Sequence, residues 1–393
     1  MFKKNRSLQI LTLLTFAAVG IIGINAFLGK ESEWPQAKPQ TKGLNLDSLR
    51  VFSNELAIGQ FGYVDALLII KDNSIVFKNE YKHDYRDIHG QNAIGKSPLA
   101  NPGGSPMYNY FNSTWHPFYS KDLHTWQSVT KTITSIVIGV AMSRKEFPDL
   151  NTPILKFFDA KQIKNVDPRK RKITIKHLLN MTSGFEWHEM DVGYNDARSS
   201  GILMEQSKDW VKFTVDQPMA DNPGTKFNYN GGNTQILAYI FEQSTKRSIE
   251  DYANQFLFKP LGISKYYWKQ TPSGLADVEG GLYMEVTNVA KLFSLYLSEG
   301  VWNGTRVIAK DWINDSVRSG FKINDQVAYG YQWWLYSIEG LPDTWAAVGF
   351  GDQYVILVPK HDLIVIVTGW NILEGAKSLT YQKLLQKIIG SVI

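Results

Sequence analysis

"HTWQSVTKTITSIVIG", residues 124–139, is the stretch whose reading decides the fold. It places Ser128 three residues before Lys131 and then runs apolar. One reading makes Ser128 a helix cap and Lys131 a surface lysine. The other makes Ser128 a nucleophile and Lys131 its base. Spacing alone does not choose, because a second Ser-x-x-Lys runs from Ser319 to Lys322 in the polar loop "VRSGFKIND". The surroundings differ. "VTKTITSIVIGVAM" reads as a buried helix that starts at about Ser128. Three residues is close to one turn, so Ser128 and Lys131 share a face. A helix start also offers unpaired N–H groups and the positive dipole end, which can form half of an oxyanion hole. A serine hydroxyl is a weak nucleophile and needs a base within hydrogen-bond reach. A lysine in an apolar setting loses part of its preference for the charged form, so it can be that base.

The chain has 393 residues, enough for one large domain or two ordinary ones. It has no cysteine, which excludes disulfides, thiolate metal sites, a cysteine nucleophile and a lipid-modified cysteine. Its seven histidines show no metal spacing, and neither a Gly-rich phosphate loop nor a Gly-x-Ser-x-Gly elbow occurs. No metal and no cofactor is expected. The net charge is a mild +5. The basic run "KQIKNVDPRKRK", residues 161–172, has no aromatic residue on which a base could stack. It reads as a solvated loop, and no nucleic-acid partner is expected.

The N-terminus opens with the basic "MFKKNR". The uncharged "LQILTLLTFAAVGIIGINAFLG", residues 8–29, follows. That run is long enough to span a bilayer, and the basic residues before it should stay inside. Residues 1–29 are therefore expected to be a signal anchor that holds the body outside the cytoplasm. The alternative is a secreted or periplasmic body cleaved near Ala26.

Residues 30–46 are polar with two prolines and read as a linker. Residues 47–393 are then one folded body. "VDALLIIKDNSIVFKNEY" reads as two strands around an Asp72-Asn73 turn. Residues 85–119 look like an irregular excursion. "GNTQILAYIFEQS" and "IEDYANQFLF" have helical spacing. "TNVAKLFSLYLSEG" has Thr287 placed as a cap and Gly300 as a stop. Strands return after about Tyr329 in "YGYQWWLYSI", "QYVILVP" and "LIVIVTGW", and "SLTYQKLLQKIIG" closes the chain as an amphipathic helix. The fold class is α/β in the α+β sense. One antiparallel sheet is built from both chain ends and flanked by helices, with a mainly helical insertion over about 140–325.

"LHTWQSVTKTITS" resembles the Ser-x-x-Lys helix start of the serine β-lactamase and penicillin-binding-protein superfamily. "ITIKHLLNMTSGFEW", "PGTKFNYNGGNTQILA", "GGLYMEVTNVAKLFSLYLSEGVWNG", "YGYQWWL" and "AAVGFGDQYVILVP" are similar, in order, to later segments of its class C-like and esterase-like branch. The 6-aminohexanoate-dimer hydrolases look nearest. The resemblance implies a β-lactamase-like fold, with Ser128 as nucleophile, Lys131 as base and Tyr229 as the tyrosine of the Tyr-x-Asn motif. It implies oxyanion donors at the backbone N–H groups of Ser128 and Phe350. The sequence departs from the pattern twice. The motif's asparagine falls on Gly231, and Ala347-Val348-Gly349 stands where Lys-Thr-Gly would. The cation that greets a substrate carboxylate is thereby lost, and with it a charge-assisted contact.

The expectation is a serine hydrolase that cleaves a small amide or ester, or a cell-wall peptide, through an acyl-enzyme on Ser128. The alternatives are D-Ala-D-Ala carboxypeptidase or β-lactamase activity, or a silent peptidoglycan-binding envelope protein. Gly349, Asp196 and Trp345 are weaker candidates for substrate contact.

Overall fold

The computed structural model describes residues 34–83, 123–192, 196–318, 320–371 and 377–393. The apolar segment 8–29, the whole excursion 85–119 and Ser319 lie outside these. Among the described residues no helix is long and apolar enough to cross a membrane.

The body runs from Pro35 to Ile393. Its first helix, α1 (Leu46–Ala57), is capped by Asn45, whose side chain accepts from the amides of Asp47 and Ser48. The hairpin β1 (Val64–Lys71) and β2 (Ser74–Glu80) follows. Its turn residues Asp72 and Asn73 have φ of 47° and 54°. Both are left-handed, as a two-residue type I′ turn requires. Next come β3 (His124–Thr125), α2 (Val129–Ser143), α3 (Ile175–Leu179), α4 (Ser200–Gln206) and α5 (Trp210–Val215). They are followed by α6 (Gly231–Thr245), α7 (Ile249–Ala253), β4 (Tyr266–Trp268), β5 (Leu282–Met284) and α8 (Val286–Leu297). The strands β6 (Val301–Trp302) and β7 (Thr305–Arg306) lead to α9 (Lys310–Arg318). Then come β8 (Phe321–Lys322), β9 (Val327–Gly330), β10 (Trp333–Tyr336), β11 (Thr344–Gly349), β12 (Gln353–Val358), β13 (Leu363–Gly369) and α10 (Tyr381–Ile389).

The main sheet has eight strands in the order β2-β1-β13-β12-β11-β10-β9-β8. All neighbours are antiparallel. β1 lies along β13, with Leu67 opposite Val367, so the two chain ends do share one sheet. Every residue of β12 and β13 is buried, which fits their continuous apolar runs. Both faces of these strands are covered. Leu49, Phe52 and Leu56 of α1 and Leu384, Leu385 and Ile388 of α10 form one core with the strands. α2 and α8 pack on the opposite face.

Three local expectations are corrected. Residues 35–46 are docked on the body. Ile75 N donates to Pro35 O at 2.8 Å, Asn45 N donates to Ser391 O at 2.7 Å, and Leu44 is fully buried. Thr287 lies inside the first turn of α8, and the cap position belongs to Glu285. The basic run is not wholly solvated, because the Lys170 side chain is buried. Its Nζ donates to three carbonyls, Lys164 O at 2.9 Å, Val215 O at 2.8 Å and Gln217 O at 2.7 Å. A buried ammonium persists only when its donors are satisfied, and here the backbone supplies that.

Candidate active site

Ser128 sits at the N-terminus of α2 but caps nothing. Its hydroxyl faces Lys131, whose Nζ donates to Ser128 Oγ at 2.9 Å. The turn into the helix passes through Gln127, a non-glycine residue at φ 47°. That left-handed backbone costs energy and persists where the surroundings hold it. Here they do. Gln127 Nε2 donates to Thr125 Oγ1 at 2.9 Å, and Trp126 is pinned to β5 through its amide to Leu282 O at 3.0 Å. Its indole donates to Met284 O at 2.9 Å. The turn that presents Ser128 is thus tied to β5 as well as to its own helix.

Tyr229 arrives from another direction. Asn228 N donates to Met181 O at 2.8 Å and its side-chain amide donates to Trp187 O at 2.9 Å. These contacts join "KFNYN" to "NMTSGFEW". Asn230 then caps α6, accepting from Asn233 N at 3.0 Å. Between them the Tyr229 ring is buried and stacked on Trp334, with centroids 5.8 Å apart and planes 20° apart. Burial raises its pKa above the usual phenol range, against the pull of the nearby Lys131 charge. Lys131 Nζ lies 5.2 Å from the Tyr229 ring centroid. Ser128, Lys131 and Tyr229 therefore meet, as the motifs imply.

Two further side chains complete the site, and sequence reading passed over both. Glu279 stands on the turn between β4 and β5. Its Oε2 accepts from Lys131 Nζ at 2.7 Å and its backbone carbonyl accepts at 2.8 Å. Glu189 Oε2 accepts from Gly231 N at 2.8 Å and from the Trp187 indole at 2.7 Å. Only "ADVEGG", with two acids among small residues, hints at the first, and the quoted segment begins one residue after Glu279.

These carboxylates correct the expected state of Lys131. Burial pushes its ammonium down, but Glu279, Tyr229 and Glu189 outweigh this and hold it above the usual lysine range. The lysine is charged at rest. Glu279 answers in kind. Burial raises it, yet the Lys131 charge and hydrogen bond bring it below the usual carboxylate range. Burial and the charge of Glu279 push Glu205 well above its ordinary value. Of the two carboxyl groups, Glu205 is thus the one that favours its protonated form.

Gly349 ends β11 against the nucleophile turn. A Cβ there would lie 2.6 Å from Trp126 O and 3.1 Å from Gln127 Cβ. Only glycine allows that approach. Trp345 lies four residues back on the same strand, roughly 13 Å away. The Asp196 carboxylate is taken up by Arg198, at 2.6 Å to its Nη2, and is held down to about 2 by that contact. The structure thus gathers Ser128, Lys131, Tyr229 and Gly349, and commits Asp196 to a turn. The partner loop residues Gly193, Tyr194 and Asn195 lie outside the described residues.

A helix-flanked antiparallel sheet that carries a Ser-Lys-Tyr cluster at a helix start defines a protein of the penicillin-recognising class. The chain belongs to the Beta-lactamase family, whose model matches residues 65–384. Among its relatives, the monacolin J acid methylbutanoyltransferase of Aspergillus terreus is 28% identical over 162 residues, covering 38% of this chain and 39% of that one. The match thus spans about two fifths of that relative. The 6-aminohexanoate-dimer hydrolase of Paenarthrobacter ureafaciens is 21% identical over 292 residues, covering 68% of this chain and 71% of that one. A D-stereospecific amidohydrolase from Streptomyces superposes with a TM-score of 0.60 at 15% identity, covering 86% of this chain and 98% of that one. That last likeness is one of fold.

Proposed function

We propose that the protein is a serine hydrolase that cleaves an amide or ester bond through an acyl-enzyme on Ser128. The observation that carries this is the 2.9 Å contact of Lys131 Nζ with the Ser128 hydroxyl at a helix N-terminus, with the buried Tyr229 ring 5.2 Å from the same Nζ. A capping serine would turn its oxygen to the helix amides instead. In the reaction, Ser128 Oγ gives its proton to the Lys131–Glu279 pair beside it as it bonds to the carbonyl carbon, and the π pair moves onto oxygen. The N–H groups of Ser128 and Phe350 hold that oxyanion. The bond to the leaving group then breaks, and Tyr229 passes it a proton. Water attacks the acyl carbon in turn, and Ser128 regains its proton.

The relatives' names support amide cleavage and acyl transfer as the reaction class. Ala347-Val348-Gly349 in place of Lys-Thr-Gly leaves no cation on β11 for a substrate carboxylate. This favours an amidase or esterase over a β-lactamase or D-Ala-D-Ala carboxypeptidase. The basic start followed by an uncharged run at 8–29 supports anchoring in the cytoplasmic membrane with the body outside.

A fluorophosphonate probe tests the reading. It should label the wild-type protein at Ser128, found by peptide mass mapping, and should leave Ser128→Ala unlabelled. A correctly folded wild type that resists the probe points instead to a silent envelope-binding protein. Turnover on p-nitrophenyl esters, a chromogenic cephalosporin, D-Ala-D-Ala peptides and aminohexanoate dimers then ranks the substrates.

A further inference from the structure

The serine-hydrolase reading leaves one question, on which the following inference rests: what accepts the Ser128 proton when Lys131 is already charged? Three observations converge on Glu279. Lys131 Nζ is held at 2.7 Å by Glu279 Oε2 and at 2.8 Å by its carbonyl, while its third contact is Ser128 Oγ at 2.9 Å. The three hydrogens of the ammonium thus have three acceptors, two of them on one residue. Next, the asparagine of the Tyr-x-Asn pattern is absent, and its place is filled. A Cβ on Gly231 would lie 2.8 Å from Glu279 Oε2 and 3.5 Å from Glu189 Oε2. Glycine here makes room for a carboxylate. Finally, Glu279 is only 7% exposed, and its turn is locked. Asp277 Oδ1 accepts from Glu279 N at 3.2 Å and from Gly280 N at 3.0 Å, and Gln235 Nε2 of α6 donates to Ala276 O at 2.9 Å.

We propose that Glu279 stands in for the missing asparagine, and that the buried Lys131–Glu279 pair, rather than a neutral Lys131, takes up the Ser128 proton. One proton moves from Lys131 Nζ to Glu279 Oε2, and the freed nitrogen pair accepts the proton of Ser128 Oγ. The Oγ–C bond forms as the carbonyl π pair shifts to oxygen. The pair ends with one proton more, which returns through Lys131 and Tyr229 to the leaving atom. Glu279 acts through Lys131, so it is a positioning residue. The groups that face it are Lys131 of α2, Tyr229 ahead of α6, Glu189, Glu205 of α4, Lys269 and Asp277. Tyr329 of β9 also feels the Lys131 charge. Burial and the Glu279 charge push Glu205 well above its ordinary value while Lys131 holds Glu279 below it, so Glu279 is the carboxylate that stands ready to accept.

The pH dependence of kcat/KM on a p-nitrophenyl ester tests this. The wild-type profile should stay flat from about pH 8 down into the carboxylate range, because the acceptor is unprotonated throughout. Glu279→Gln removes the internal acceptor. Lys131 must then lose a proton to solvent before each attack, so the acid limb moves up in pH. Activity at about pH 6 should fall by roughly tenfold or more. Glu279→Asp should keep the wild-type limb. The opposing idea, a lysine that works neutral, predicts the reverse, since losing the carboxylate would free Lys131 of its proton and move the limb down. A limb that stays or moves down overturns the relay. For the stand-in, Gly231→Asn together with Glu279→Ala should recover about tenfold over Glu279→Ala alone. No recovery overturns that part. If the wild type is neither labelled by fluorophosphonate nor active, the parent reading falls and takes this inference with it. A labelled wild type with an unmoved limb sinks the inference alone.

Discussion

Lys131 and Glu279 are one unit energetically as well as chemically. The pair is buried, with side chains 1% and 9% exposed. Breaking such a pair from one side leaves an uncompensated charge and costs about 3–5 kcal/mol, whereas removing both charges is often neutral. Lys131→Met should therefore lower the urea-unfolding free energy by about that amount. Adding Glu279→Gln to it should recover most of the loss, while both proteins stay inactive on the ester. If the single and double variants unfold at the same urea concentration, the ion pair is not what stabilises this corner. Lys131 and its neighbour Ser128 were legible because one helical turn joins them. Glu279 was not, since 148 residues separate it from Lys131 and no local pattern reports a long-range ion pair.

Each element near the site is held by its ends, and the ends are where sequence signals were strongest. The Asp72-Asn73 turn and the stop of α8 were both readable. At that stop Gly300 N donates to Leu295 O at 2.6 Å, the six-to-one bond of a Schellman end. Thr287 misled because a threonine two residues into a helix looks like a cap when the true cap position holds a glutamate. Residues 35–46 misled because proline and polar side chains say nothing of backbone pairing with β2. The cap on α6 has functional weight. Asn230 is 1% exposed and stands between Tyr229 and Gly231. Asn230→Ala removes the acceptor for Asn233 N and should cost about 1–2 kcal/mol in urea titration. It should also lower kcat, because the Tyr229 hydroxyl loses its fixed aim at Ser128. Asn230→Asp keeps a cap acceptor and should retain most of the stability. Equal stability of the alanine variant and the wild type would show that α6 does not depend on this cap.

The whole body closes on itself by joining its ends, a topology that the strand runs at either end of the sequence made legible. The contents of the middle were less so. The small β3-β5-β4 sheet that aims Ser128 rests on strands of two or three residues, too short for any periodicity. Closure by the chain ends makes a sharp demand on the last helix. α10 buries Leu384, Leu385 and Ile388, and Lys387 Nζ reaches Glu55 of α1 at 2.6 Å. Three buried apolar side chains are worth about 5–9 kcal/mol, at roughly 1.5–3 kcal/mol each. That rivals the 5–15 kcal/mol or so that holds a typical native domain together. A chain that stops at Leu379 should therefore fail to give a cooperative urea transition or fluorophosphonate labelling, although every residue of the site is present. A chain that starts at Pro35 keeps the bond from Ile75 N to Pro35 O, at 2.8 Å, and every strand of the main sheet. It should unfold cooperatively and label at Ser128 at the full-length rate. If the C-terminal truncation labels as well as the N-terminal one, the sheet does not need α10 to hold the site, and the burial argument is wrong.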